Sequence, residues 1–170
     1  VKVFNLIDNS WQVYGETITM ESPGDRFGFS ISLAGNETLQ RIAIGSPGAN
    51  VNGQSSGLAS VYENTNSNWS KFGTDVFGMD SGDNFGYSIS ITPDAERVVV
   101  GAPNKNIDNV PVGQVQVIDV RNNNTVPAGE ILGRENEKFG VSVSVSSEGE
   151  LIFGGASLAN LVRAYAQEKL

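Results

Sequence analysis

The sequence predicts an all-β chain made of repeated units of four short antiparallel strands. Three observations predict it. Charged residues are only 18% of the 170 residues while Gly contributes 20, and together with abundant Ser, Asn, Val and Ile this favours strands and turns over helices. Large apolar residues alternate with Ser over Phe29 to Leu33, Tyr87 to Ile91 and Val141 to Val145, the period-2 pattern of a strand. A Phe-Gly segment also recurs, at Phe27-Gly28, Phe85-Gly86 and Phe139-Gly140, 58 and then 54 residues apart.

Each unit holds four strand-length segments, a to d. Strand a is the alternating run after each Phe-Gly pair. Strand b is the short apolar run in Arg41-Ile42-Ala43-Ile44-Gly45-Ser46-Pro47, matched by Arg97-Val98-Val99-Val100-Gly101-Ala102-Pro103 and by Leu151-Ile152-Phe153-Gly154-Gly155-Ala156, which lacks the Pro. The turn residues between a and b, Thr92 to Glu96 and Ser146 to Glu150, predict tight hairpins. Strand c is Ala59 to Tyr62, Val115 to Ile118 and Val162 to Tyr165, and the opening Val1 to Phe4 belongs to the same set. Strand d follows a Trp in Trp11 to Gly15 and Trp69 to Gly73, while a degenerate copy ends at Gly129 with Thr125 in place of the Trp.

The phase of these segments divides the chain into the end of one unit (1–20), two full units (21–77 and 78–132) and an incomplete one (133–170). Four strands per repeat at this period is the pattern of a β-propeller blade, a sheet that is apolar on both faces and buries them against its neighbours. Phe27, Phe85 and Phe139 are expected between blades, with the adjoining Gly allowing close backbone approach. Two full blades cannot close a ring, so the reading is a partial or incomplete ring. Strand d after Val162 to Tyr165 is expected to be missing or very short, and further blades of the same polypeptide or another subunit are expected to cover both ends.

Composition narrows the function. A net charge of −8 disfavours nucleic acid and anionic lipid surfaces, and no apolar run approaches the roughly 18 residues of a membrane span, so membrane insertion is not expected. The chain contains no His and no Cys, which removes Ser-His-Asp triads, Cys nucleophiles, the usual zinc sites and disulfides.

The paired motifs Phe27-Gly28, Phe85-Gly86 and Phe139-Gly140, followed by Gly45-Ser46-Pro47 and Gly101-Ala102-Pro103, resemble the FG-GAP repeats of integrin alpha-chain propellers. The fit is closer to the subclass found in bacterial and algal surface or secreted proteins. The resemblance implies an extracellular or cell-surface location, the alternative being the lumen of an organelle within a complex. Integrin-type repeats often carry a calcium loop before strand b. Here Asp94 and Glu96 are the only carboxylates in the matching stretch and Arg97 stands where the final ligand would be, so the calcium site does not carry over, and no metal or cofactor is expected.

Other candidates are weaker. Asn104 to Asn109 imitates the start of a calcium loop, but it has one carboxylate and a Lys inside and reads as an Asx-rich turn. Asp75, Asp80 and Asp83 cluster in sequence, yet the Gly-Asp pair recurs at Asp25 and Asp83 as turn residues do, so no catalytic residue is assigned and a non-enzyme is expected.

The loops from d to a and from b to c are expected to share one face of the ring, and they carry the longest polar stretches. The candidate partner-binding residues are Asp25, Arg26, Asp83 and Asn84 on the first kind of loop, and Asn50, Asn52, Asn106 and Asp108 on the second. Two functions remain open. One is a binding or adhesion module that takes a protein or glycan on that face. The other is a structural accessory subunit that docks through exposed blade edges.

Overall fold

The computed structural model describes residues 1–20 and 22–166. Within them the chain is all-β, without helix. A first hairpin pairs β1 (Phe4–Ile7) with β2 (Ser10–Val13). A four-stranded antiparallel sheet follows, in the order β3 (Ser30–Gly35), β4 (Gln40–Ser46), β5 (Leu58–Thr65), β6 (Asn68–Phe77). The next sheet joins β7 (Ser88–Ile91), β8 (Arg97–Ala102), β11 (Gln114–Arg121) and β12 (Asn124–Leu132), and the loop between its middle strands carries a small hairpin of β9 (Asn106–Ile107) and β10 (Val110–Pro111). The last sheet is β13 (Phe139–Val145), β14 (Leu151–Ala156) and β15 (Leu161–Ala166). None of these sheets closes on itself among the described residues. The expected absence or shortness of a strand after Tyr165 lies outside them.

The predicted strands are all present, and most extend by a few residues. One is displaced: the opening strand begins at Phe4 rather than at Val1. Residues 1–3 run beside the segment that follows the second strand, where Tyr14 N donates to Val3 O (2.8 Å) and Ile18 N to Val1 O (2.9 Å). The c-to-d turns are two-residue loops, Asp8-Asn9, Asn66-Ser67 and Asn122-Asn123, with φ between 49° and 64° throughout. Such left-handed pairs match the twist of the flanking strands, and Asn and Asp accept them more readily than other residues do.

Three apolar layers separate the sheets. The first lies between the opening hairpin and the first sheet, with Ile18, Ile42, Ile44 and Trp69. The second holds Ala43, Val61 and Phe72 of the first sheet against Phe85, Ile89, Val98 and Ile118 of the next. The third sets Val99, Val115 and Val117 against Phe139 and Ile152. Successive residues of β8 therefore point into different layers. This explains why β8 reads as a continuous apolar run instead of an alternating one.

Phe85 and Phe139 are fully buried, as expected. Phe27 is only half-buried, because the hairpin ahead of it supplies no a and b strands to cover it. The residue before each Phe (Arg26, Asn84, Lys138) and the Gly after it are left-handed, with φ of 52° to 58° and 85° to 91° respectively. The Phe-Gly motif is thus a repeated backbone shape, and the second position requires glycine's freedom.

The junction between the first and second sheets and that between the second and third are built from the same contacts. Ser30 Oγ donates to Gly86 O at 2.8 Å, and Ser88 Oγ donates to Gly140 O at 2.8 Å. Ile91 N donates to Ser32 Oγ (3.1 Å) and Val145 N to Ser90 Oγ (3.3 Å). A Cβ on Gly45 would lie 2.1 Å from Gly86 O, and one on Gly101 would lie 2.1 Å from Gly140 O. Arg41 reaches across to Ala95 O (2.9 Å) while its Nε holds Glu63, and Arg97 reaches across to Gly149 O (3.1 Å) while its Nε holds Asp119. At the outer edge Trp69 covers Gly15 as Thr125 covers Gly73, so Thr125 takes the position that Trp69 holds in the preceding unit.

Candidate functional site

The loops from b to c and from d to a lie against each other, and their backbones interlock. Gly82 N donates to Gln54 O (2.8 Å), Asn84 N to Ser55 O (3.0 Å) and Asn104 N to Asp83 O (3.4 Å). Side chains tighten the same seam. Asn52 Nδ2 donates to Gly78 O (2.8 Å), and Asn84 Nδ2 donates to Pro47 O (2.9 Å). The result is one continuous loop surface from the first sheet to the second.

An ion pair fixes its centre. Lys105 Nζ lies 2.5 Å from Asp80 Oδ2 and 3.3 Å from Asp83 Oδ2, and Asp83 also accepts from Asp80 N at 3.0 Å. Lys105 is 8% exposed and Asp83 1%. Burial alone would lower the pKa of the Lys105 ammonium. The carboxylates of Asp80 and Asp83 more than offset this and hold it above the usual lysine value. In the third sheet Glu137 occupies the place of Asp83, accepting from Arg134 N (2.7 Å) and pairing with Arg163. The recurring acid therefore serves the loop that leads into each Phe-Gly pair.

The sequence candidates divide accordingly. Asp83 is inside, its carboxylate turned to Lys105, and Asn84 spends its amide on Pro47 O and on Asn104. Asn50 faces solvent while its Oδ1 accepts from Ser55 N (2.7 Å), and Asn52, also exposed, braces Gly78. Asp25 is half-buried and accepts Gly48 N through its carbonyl (3.1 Å), whereas Arg26 is exposed with its guanidinium 6.0 Å from the Phe29 ring centre. Asn106 and Asp108 are exposed on the β9–β10 hairpin, where Asp108-Asn109 forms another left-handed two-residue turn. That hairpin is what the Asx-rich stretch at Asn104 to Asn109 builds.

Sequence reasoning passed over the apolar tips of this surface. Val51, Met79 and Ile107 stand on three adjoining loops, and Met79 is 72% exposed. Their place in polar loops was the available signal, since an apolar residue there has no strand face to bury.

Asp75, Asp80 and Asp83 each engage a neighbouring side chain. Asp75 accepts from Ser60 Oγ (2.6 Å) and pairs with Lys71 (2.7 Å), while Asp80 and Asp83 share Lys105. Asp94 closes the a-to-b turn by accepting from Thr92 Oγ1 (2.6 Å) and Glu96 N (3.0 Å). Its partial burial works against ionisation, but these bonds outweigh it and hold the carboxyl below its usual pKa. Among the described residues no three of His, Cys, Asp or Glu gather as a metal-holding group.

The opening hairpin covers the outer face of the first sheet only in part, and the outer face of the last sheet exposes apolar residues. The first exposes Ile31 and Leu33 beside Trp11 of the hairpin, around a groove of about 510 Å³. The last exposes Phe153 and Val162 and has a groove of about 450 Å³ floored by Ser142 and Gly155. No described helix is long and apolar enough to cross a membrane.

No family model matches the chain, and no curated protein matches it. Among solved structures it is similar to a chain of hydrazine synthase from Kuenenia stuttgartiensis, with a TM-score of 0.50 and 10% identity. The match covers 76% of this chain and 42% of that one, so the chain spans less than half of its neighbour's length. At that identity the likeness concerns the fold alone.

Proposed function

We propose that the chain is a run of FG-GAP-like propeller blades that binds a protein at the cell surface or outside the cell, without catalysis, through its shared loop surface. The observation that carries this reading is the trio Val51, Met79 and Ile107. They are exposed apolar tips among Asn and Asp, on loops tied to one another by the Lys105 ion pair and the Asn52 and Asn84 bridges. Apolar anchors ringed by polar residues on a rigid support suit a protein partner better than a glycan. The blade assignment is supported by the two matching junctions and the left-handed Phe-Gly entries.

The test is binding of the labelled chain to cultured cells and to an array of purified glycans, comparing wild type with Met79→Asp/Ile107→Asp. The reading expects saturable cell binding that falls at least tenfold in the variant. Binding that free glycans compete away and the variant retains would replace the protein partner with a glycan. Equal cell binding by both chains, without glycan competition, would overturn the use of this surface.

The open end faces favour a second reading, a structural subunit that docks through its outermost sheets. Ile31, Leu33, Phe153 and Val162 are the residues such docking would cover.

A further inference from the structure

We propose that the outer face of the last sheet is a receptor for one kind of partner: the a-strand edge of another repeat unit, entering through a left-handed residue-Phe-Gly turn. This inference rests on the docking reading above and names the chemistry of what docks.

The two internal junctions show what such a face receives. At each one the giving sheet presents a Ser hydroxyl, a glycine on strand b and a left-handed residue ahead of strand c. In the first sheet these are Ser30, Gly45 and Gly57, and in the second they are Ser88, Gly101 and Gly113. The incoming Phe pairs with the third of them, Gly57 with Phe85 and Gly113 with Phe139, as isolated parallel bridges. The incoming Gly lays its carbonyl on the Ser hydroxyl.

The last sheet carries the same set. Ser142 follows Gly140 as Ser30 follows Gly28 and Ser88 follows Gly86, and Ser142 is exposed. Gly155 occupies the strand-b position, and Asn160, with φ of 52°, stands where Gly57 and Gly113 stand. The groove of about 450 Å³ is bounded by these residues together with Val141, Leu161 and Val162. At the internal junctions this position is filled by Phe85-Gly86 and Phe139-Gly140.

One feature differs. Leu151 stands in the place of Arg41 and Arg97 and is 41% exposed, so the partner's a-to-b turn meets an apolar side chain in place of a guanidinium. A second copy of this chain does not fit as it stands. Its residues 1–3 already lie beside Gly28, with Val1 Cγ2 2.8 Å from the Cβ position of Gly28, where the receptor's own strand c would have to enter. Leu58 O takes that place beside Gly86 at 2.3 Å, and Gln114 O beside Gly140 at 2.3 Å. The partner is therefore a unit whose Phe-Gly edge is not preceded by its own c–d hairpin.

The test uses the isotope-labelled full chain and two probes. One is a synthetic peptide of residues 80–103, an a-to-b hairpin that begins ahead of Phe85-Gly86. The other is the full chain with a second copy of residues 79–132 appended at its end, which raises the effective concentration when the peptide is weak. The expected result is saturable shifts of the Ser142, Gly155 and Asn160 amides with the peptide, and at least tenfold slower amide exchange there in the extended chain. A peptide carrying Phe85→Ala and Gly86→Val should bind at least tenfold more weakly. Val162→Arg, at a site 70% exposed and so compatible with folding, should abolish both effects. If neither probe changes those amides, or if Val162→Arg leaves the changes intact, the inference falls. The same spectra report Ser30–Gly86 and Ser88–Gly140 proximity. With those contacts present, failure sinks the receptor alone. With them absent, it sinks the repeat reading beneath it.

Discussion

The hydroxyl of Ser30 lies 2.8 Å from the carbonyl oxygen of Gly86, and the hydroxyl of Ser88 repeats that bond to Gly140 at the same distance. Each bond anchors the turn that starts the following sheet, so the position of one sheet sets the position of the next. The glycines beneath it are obligatory for the same reason. The strand-b backbone passes so close to the incoming carbonyl that no Cβ fits between them.

Gly101→Ala is therefore expected to separate the last sheet from the second, since its Cβ would fall 2.1 Å from Gly140 O, a backbone atom that cannot move without moving the whole turn. Gly129→Ala meets nothing within 4 Å and should be close to neutral. Urea denaturation of both variants checks the contrast, and equal midpoints would contradict it.

Arg41 is expected to matter more than a surface arginine. It is 8% exposed, stacks 3.8 Å from the Phe72 ring centre, and bonds to Ala95 O, Val120 O and Glu63. Arg41→Met keeps much of the stem but leaves buried carbonyls without a donor, and a loss of about 2–4 kcal/mol follows from that. A change in unfolding free energy below about 0.5 kcal/mol, the range of ordinary surface substitutions, would show that the crossing bonds contribute little.

The three Phe-Gly phenylalanines are not equivalent. Phe85→Ala and Phe139→Ala should each cost about 3–5 kcal/mol, the range for emptying a fully buried aromatic site. Phe27→Ala should cost clearly less, because Phe27 is only half-buried. Thermal denaturation of the three variants gives the order, and Phe27→Ala as damaging as Phe85→Ala would contradict it.

The Lys105 pair sets a pH dependence with a definite sign. Its folded pKa is raised, so its contribution is fully present below the unfolded lysine value of about 10.4 and is lost as pH rises through the higher folded value. Stability measured from pH 8 to 11.5 should fall more steeply for wild type than for Lys105→Met. Parallel curves would show that the pair does not couple to folding.

The strand order of each unit was legible because the alternation at 87–91, the repeated Phe-Gly segments and the matching Gly45-Ser46-Pro47 and Gly101-Ala102-Pro103 mark faces and turns locally. The shared loop surface was legible for the same reason, since hairpin connections leave the sheets at fixed ends. Arg97 was read only as a missing calcium ligand. Its actual role depends on Gly149, 52 residues away, which no local pattern announces. Asp83 looked like a solvent-facing turn residue, but the lysine that buries it comes from the next loop, 22 residues on. The pairs Asn66-Ser67 and Asn122-Asn123 contain residues tolerant of left-handed backbone, yet no Gly follows either pair to announce the turn type.

The most direct measurement of the central claim, that the sheets follow one another through a single repeated junction, is a nuclear Overhauser spectrum of the labelled chain. Gly45 Cα lies 3.1 Å and Gly101 Cα 3.2 Å from the Cβ positions of Gly86 and Gly140. Strong α-proton cross-peaks between Gly45 and Gly86 and between Gly101 and Gly140, accompanied by Ser30–Gly86 and Ser88–Gly140 contacts, are the expected result. A folded chain that shows one set without the other, or neither, would contradict the account.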